Sequence, residues 1–373
     1  MKYLFFFLCL IASSGIFAKQ NVLLVFPKLE NLSLTGRLTT EGIDISFQKF
    51  KELKDDINII KIEPESNLKE LAGEVERSIQ QYKPIAIIGA ITSNTAFVIS
   101  DIAERYKIPF ITPFATHPDV VKNKDFSYRA CFDDSYQATQ LASFAVKKLM
   151  KRRFSVLYNS SSSYSLGIKV RFSEMAKKLG AEVVSEVGVI NSADLTNDKI
   201  KNLIDSKPQI VLIPSYQIEA ASIIAKLAVL LPRTVIYLGP DSWGGGRLFH
   251  KVFQGGDINF EGYYVQHLSG VEFSSKPGFK NEITKRKLFE DTKQPYSAAM
   301  VAPVAIGHDT GLLLFNAIQL SKKNKILLVE AINKTSVRGL TGTIDFSEGH
   351  TPQKGLFIYK INKTNETFYQ EYR

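Results

Sequence analysis

The sequence predicts an α/β protein with two parallel sheets, each carrying helices on both of its faces. Three observations lead there. Apolar runs rich in β-branched residues alternate with amphipathic helical stretches. The alternation comes as two successive series. A length of 373 residues, less an N-terminal leader, suits two domains at roughly 150 residues each.

The leader is MKYLFFFLCLIASSGIFA, residues 1–18. Lys2 precedes an apolar run over 3–12, small residues follow, and the Ala18-Lys19 junction fits a cleavage site, so the segment reads as a secretory signal peptide. A membrane anchor needs roughly 20 apolar residues, and this run is shorter. Cys9 has no Leu-Ala/Ser-Gly/Ala ahead of it, which argues against a lipid anchor. Cleavage takes only Lys2 from the formal charge of +10, leaving +9, and leaves Cys131 as the single thiol. No internal disulfide is then possible, and a lone thiol in an oxidising compartment is safest inside a core. The mature chain is expected in the periplasm.

In the first series, strands at 21–26, 57–62 and 85–89 lead into helices at 40–53, 68–82 and 94–106. The second opens with a helix at 135–150. It continues through strands at 154–158, 182–187, 209–213 and 234–239, with helices at 166–179 and 218–230. Cys131 falls in an apparent strand at 128–132. The tail changes character, with helices at about 278–293 and 298–322 and β-like segments at 342–346, 354–360 and 367–372, and holds no third domain. Segment 298–320 is apolar enough to pass for a membrane span, yet it contains Pro303, Gly307, His308 and Asp309. An ionised Asp near a bilayer centre costs about 2.5–3.5 kcal/mol, so a buried helix is expected.

The positive charge does not point to nucleic acid. Its residues, such as Lys147, Lys148, Lys151, Arg152 and Arg153, are spread along helices without a platform of stacking aromatics.

Ligands of open parallel sheets bind beyond the carboxyl ends of the strands. Four such loops carry suitable groups: Ser93 after 85–89, Thr116 after 109–111, Tyr216 after 209–213 and Asp241 after 234–239. Ser93 and Thr116 bring hydroxyls beside backbone N–H groups at helix starts, where a carboxylate is held. The alternative is that both are simply N-caps, with Pro118 in a first turn. Asp241 is either a cap or a receiver for an ammonium group, and Tyr216 either a lid or a half-buried aromatic. Enzyme signatures are weaker. His117, His250, His267, His308 and His350 form no HExxH, Gly244-Gly245-Gly246 lacks the GK[ST] of a phosphate loop and reads as a turn, and 160–163 is no G-x-S-x-G elbow. No catalytic residue, metal or cofactor is assigned.

These residues carry a family resemblance. GAITSNTAFVISDIAERYKIPFITPFATHPDV at 89–120, FSYRACFDDSYQATQLASFAVKKL at 126–149 and VRGLTGTIDFSEGHTPQKGLFIYKI at 337–361, with Tyr216 and Gly239-Pro240-Asp241, resemble the type I periplasmic binding proteins, in the branched-chain amino-acid (Leu/Ile/Val) branch. The resemblance implies two Rossmann-like lobes joined by three crossings, lobe 1 over 20–134 and 265–340, lobe 2 over 135–264 and 341–373. It implies a monomer that takes a small-molecule ligand, an amino acid, and hands it to an inner-membrane ABC permease. The alternative is a ligand-sensing subunit of a sensor or cell-wall enzyme. By the same resemblance Ser93 and Thr116, helped by backbone at Phe114 and Ala115, hold the α-carboxylate, and Tyr164, Tyr216 and Asp241 hold the ligand from lobe 2, the last two facing the ammonium. The chain departs from the family at FPKLENLSLTGRLTTEG over 26–42, at Thr35, where a bulkier side chain often lines the ligand pocket, and at His308-Asp309 in place of Tyr-Asp.

Overall fold

The structure, a computed structural model, describes residues 19–28, 32–244, 252–253, 258–270, 273, 275–289 and 298–372. The proposed leader, His250, Gly245 and Gly246 lie outside them, as does the end of the helix expected at about 278–293.

Five strands form the first sheet: β1 Gln20–Val25, β2 Ile57–Ile62, β3 Ala86–Gly89, β4 Phe110–Thr112 and β5 Ser127–Arg129, all parallel in the order β2-β1-β3-β4-β5. Helices cover both faces, so Val22, Leu23, Leu24 and Val25 are all fully buried. That explains a continuous apolar run where a half-exposed strand would alternate. Helices α1 Ser33–Phe47, α2 Leu68–Tyr82 and α3 Ser93–Tyr106 belong to this lobe. α1 occupies 33–47, not 40–53. Its opening residues, with Thr35, Gly36, Thr39 and Thr40, are poor helix formers, but their small size lets α1 pack closely on the long helix Ala298–Asn324. A Cβ on Gly42 would lie 2.0 Å from the carbonyl oxygen of Val304, and one on Gly307 2.1 Å from that of Thr39. Packing overrides propensity here. The long helix is the apolar segment expected to be buried, and 83% of its most apolar window is.

The second sheet holds β6 Arg153–Asn159, β7 Glu182–Val189, β8 Ile210–Leu212, β9 Ile236–Gly239 and β10 Glu261–Gln266, with β13 Leu356–Ile361 and β14 Glu366–Tyr372 beyond them. The order is β14-β13-β10-β9-β8-β6-β7. β6 to β10 are parallel, but β13 runs antiparallel to β10 and β14 to β13. The expected all-parallel sheet is therefore mixed. The Asn362 side chain accepts from the N–H groups of Thr364 and Asn365, closing a tight turn that only antiparallel neighbours can share. Helices α4 Asp134–Ser143, α5 Ser163–Lys178, α6 Asn197–Asp205 and α7 Gln217–Leu227 flank this sheet, and α4 runs on into a π-helical turn at Phe144–Lys148. A short ribbon of β11 Val337–Arg338 and β12 Thr343–Ile344 lies beside the long helix. The chain passes between the two sheets after β5, after β10 and after β12. Cys131 sits just after β5 rather than in a strand; it is buried, and burial pushes its thiol up to about 12.

Candidate functional site

The carboxyl ends of both sheets face one cavity of about 90 Å³. From the first lobe Ser93, Phe114 and Thr116 line it, with Thr35 of α1 and Ala302 and Pro303 of the long helix. From the second come Tyr164, Tyr216 and Asp241, with Gln266 at the end of β10 and His267 just past it. Six of the seven expected site residues thus meet in one place.

Neither hydroxyl residue is an N-cap. Thr92 caps α3, its Oγ1 accepting from Thr95 N at 3.4 Å. His117 caps the 3-10 turn at Pro118–Val120, its Nδ1 accepting from Asp119 N. The Ser93 hydroxyl accepts from His117 N at 3.3 Å, which leaves its own proton to donate beside the free N–H groups of the first turn of α3. Thr116 lies on the cavity wall and is 1% exposed. Ala115 does not line the cavity. Its N–H donates to Thr112 Oγ1 at 3.1 Å and its carbonyl accepts from Arg129 at 3.0 Å, so its backbone is committed to holding the loop.

Asp241 is not a cap either, since Pro240 takes that position without a side-chain bond. Its Oδ1 accepts from the Tyr164 hydroxyl at 2.7 Å and from Gln137 Nε2 at 3.0 Å. Its Oδ2 faces His267 Nε2 at 2.9 Å. Burial works against ionising Asp241, but the bonds and charge supplied by His267, Tyr164 and Gln137 outweigh it and hold the carboxyl below its usual range. Tyr164 stacks on Tyr216 with centroids 5.7 Å apart, walling off one side. The His267 ring lies flat on Phe132, 4.1 Å between centroids, with Phe114 edge-on at 6.1 Å.

Gln137 also donates to Asp134 Oδ1 at 2.8 Å, joining two buried acids through one amide. Burial pushes Asp134 up to about 8, and the Asp241 charge adds to the rise. The sign follows from linkage. Folded Asp134 keeps a proton that the unfolded chain releases above about 4, so the stability it contributes is full below that pH and is lost as pH rises towards 8. Asp134→Asn, which mimics the protonated form, is therefore expected to unfold at a temperature close to wild type at pH 4 and above it at pH 8. Thermal melts across that range check it; a wild-type advantage that grows with pH would refute it.

Gln266, His267 and Gln137 belong to the site and are not assigned from sequence. In the sequence His267 is one of five scattered histidines that form no motif. It follows β10, a strand whose sequence EGYYVQ does not alternate, so the rule about strand ends could not reach it. By contrast His308 and Asp309, a departure from the family pattern, do not line the cavity. Asp309 is fully buried and binds the backbone of Leu340 and Thr341.

The cavity rim is bridged across the lobes. Asn94 Oδ1 accepts from Ser163 N at 3.1 Å, and its Nδ2 donates to Ser161 O at 3.3 Å.

Residues 52–364 match the model of the receptor family ligand binding region. The chain belongs to this family. Its fold is that of a type I periplasmic binding protein. A leucine-binding protein, LivK, from Thermotoga maritima MSB8 superimposes with a TM-score of 0.80 at 25% identity, over 94% of this chain and 98% of that one. A solute-binding protein of an ABC transporter from R. palustris, in complex with benzoate, gives a TM-score of 0.77 at 17% identity over 95% and 96% of the two chains. An amino acid binding protein from Pseudomonas aeruginosa is 22% identical over 172 residues, 46% of this chain and 46% of that protein. The chain thus spans about half the length of this curated relative. The substrate binding protein LivJ of a branched-chain amino acid transporter from Streptococcus pneumoniae, in complex with isoleucine, shares the fold with a TM-score of 0.77 at 20% identity over 94% and 99% of the two chains.

Proposed function

We propose that this chain is a periplasmic substrate-binding protein that closes around an amino acid and presents it to an inner-membrane ABC permease, without catalysing a reaction. The observation that carries the reading is the polarity of the cavity. Its first-lobe end offers the Ser93 and Thr116 side chains and the start of α3, which suit a carboxylate. Its second-lobe end offers the ionised Asp241, which suits an ammonium. The relatives named for amino acids and leucine support the same ligand class. In this reading the division into lobes at 20–134 with 265–340 and at 135–264 with 341–373 is functional. A ligand touching Ser93 and Thr116 on one lobe and Tyr164, Tyr216 and Asp241 on the other favours the closed form, because only that form offers both sets of contacts. Phe114 and the stacked tyrosines shape the side-chain space, and the protein acts as a monomer after its leader is removed.

Mass spectrometry of the copurifying small molecule, followed by scattering with and without it, tests the reading. A copurifying amino acid and a smaller radius of gyration at saturation, with unchanged mass, are expected. An unchanged radius, or a ligand without both charges, would refute it.

A further inference from the structure

We propose that His267 selects the charge of the ligand, because a protonated imidazole and a ligand ammonium compete for one carboxylate, that of Asp241. This deepens the amino-acid reading and rests on it. Of the four acceptor positions of Asp241, Tyr164 and Gln137 take two on Oδ1 and His267 takes one on Oδ2. One position on Oδ2 is left for a ligand. An ammonium bound there lies within a few ångströms of the imidazole, in a site where His267 is 5% and Asp241 8% exposed, so two positive charges would meet with little water between them.

With His267 neutral, its Nε2–H still donates to Oδ2 and the cleft keeps a net negative charge for the ammonium. With His267 protonated, Asp241 is already neutralised and the cleft favours an acid that has no ammonium. Binding an amino acid therefore expels the second imidazole proton, from Nδ1 to solvent. The other groups around the ring are the Phe132 and Phe114 faces, Tyr164 through Asp241, and Asp134 through Gln137. Asp134, pushed up to about 8, changes charge near the top of the physiological range, so the variant that isolates His267 is needed.

Calorimetry from pH 5 to 8 with the common amino acids, and for the tightest of them its des-amino carboxylic acid, tests the proposal. As pH falls from 8 to 5 the affinity for the amino acid is expected to fall, by up to about tenfold per pH unit, while that for the des-amino acid rises. His267→Gln is expected to flatten both profiles. Should that variant not fold, titration of wild type in two buffers of different ionisation enthalpy must show up to one proton released per amino acid bound. An amino acid that binds with a flat profile and no proton release overturns the role of His267 and leaves the amino-acid reading standing. If no amino acid binds at any pH while a des-amino acid does, the amino-acid reading falls and this proposal with it.

Discussion

Asp241→Ala is expected to weaken amino-acid binding by roughly 30-fold to several thousand-fold and also to lower the stability of the unliganded protein. Removing one partner of a desolvated charge pair typically costs about 2–5 kcal/mol, and each 1.4 kcal/mol is tenfold in affinity. Asp241 is not a helix cap, which from sequence alone would have been the competing role for it. It is instead the acceptor for three buried donors, Tyr164 Oη, Gln137 Nε2 and His267 Nε2. Deleting it leaves those donors without their partner, and each buried donor so orphaned costs about 1–3 kcal/mol. Asp241→Asn separates the two effects. It keeps an oxygen for Tyr164 and Gln137 but loses the charge, so stability is expected to recover most of the way while affinity stays low. Calorimetry and thermal unfolding on both variants give the comparison. If the Asn variant binds within about threefold of wild type, Asp241 is structural and the ammonium has another partner.

The legibility of this site in the sequence follows strand ends. Where a strand reads clearly as an apolar run, as at 85–89 and 209–213, the residues just after its carboxyl end, Ser93 and Tyr216, could be marked and do line the cavity. Where the strand is hidden, its loop is hidden too. β10 begins with Glu261 and ends with Gln266, both polar, and its aromatic centre does not alternate, so the sequence does not single out Gln266 and His267. α6 is hard to mark because it is short: Ile200, Leu203 and Ile204 have helical spacing, but nine residues make fewer than three turns. Local backbone commitments are also invisible: nothing in Phe114-Ala115-Thr116 tells that the Ala115 N–H is used by Thr112, three residues back. The antiparallel direction of β13 and β14 is likewise not legible, because strand pattern carries no information about polarity.

His308-Asp309 illustrates the opposite case, a motif conspicuous in the sequence whose work lies away from the ligand. Asp309 is expected to be among the largest single contributors to stability outside the apolar cores. It is fully buried, and it accepts from Leu340 N, Thr341 N and Thr341 Oγ1, each at 2.7 Å. His308 completes the set. Lysine can only donate, so the 2.7 Å contact from Lys49 Nζ makes His308 Nε2 the acceptor and leaves Nδ1–H to donate to Asp309 at 3.0 Å. Burial opposes ionising Asp309, but the His308 bond and the Lys354 charge outweigh it and hold the carboxyl below its usual range. The carboxylate thereby clamps segment 339–341, which precedes the third passage between the sheets, to the long helix of the first lobe. Asp309→Ala should destabilise the protein by about 3–5 kcal/mol, the usual loss when a buried charge network loses one member. The sign with pH is set by the lowered value: the contribution is full above the unfolded carboxyl pKa near 4 and is lost as pH falls through the folded one, so the gap between wild type and variant should close in acid. Gly339 gives an independent route to the same clamp, because an added Cβ would sit 2.2 Å from the Asp309 carboxyl carbon. Gly339→Ala should therefore push the carboxylate off its donors, and the double variant should cost less than the two single costs added together. Denaturant unfolding of the three variants measures this. Strict additivity would mean that Asp309 and Gly339 act separately and that the clamp is not one unit.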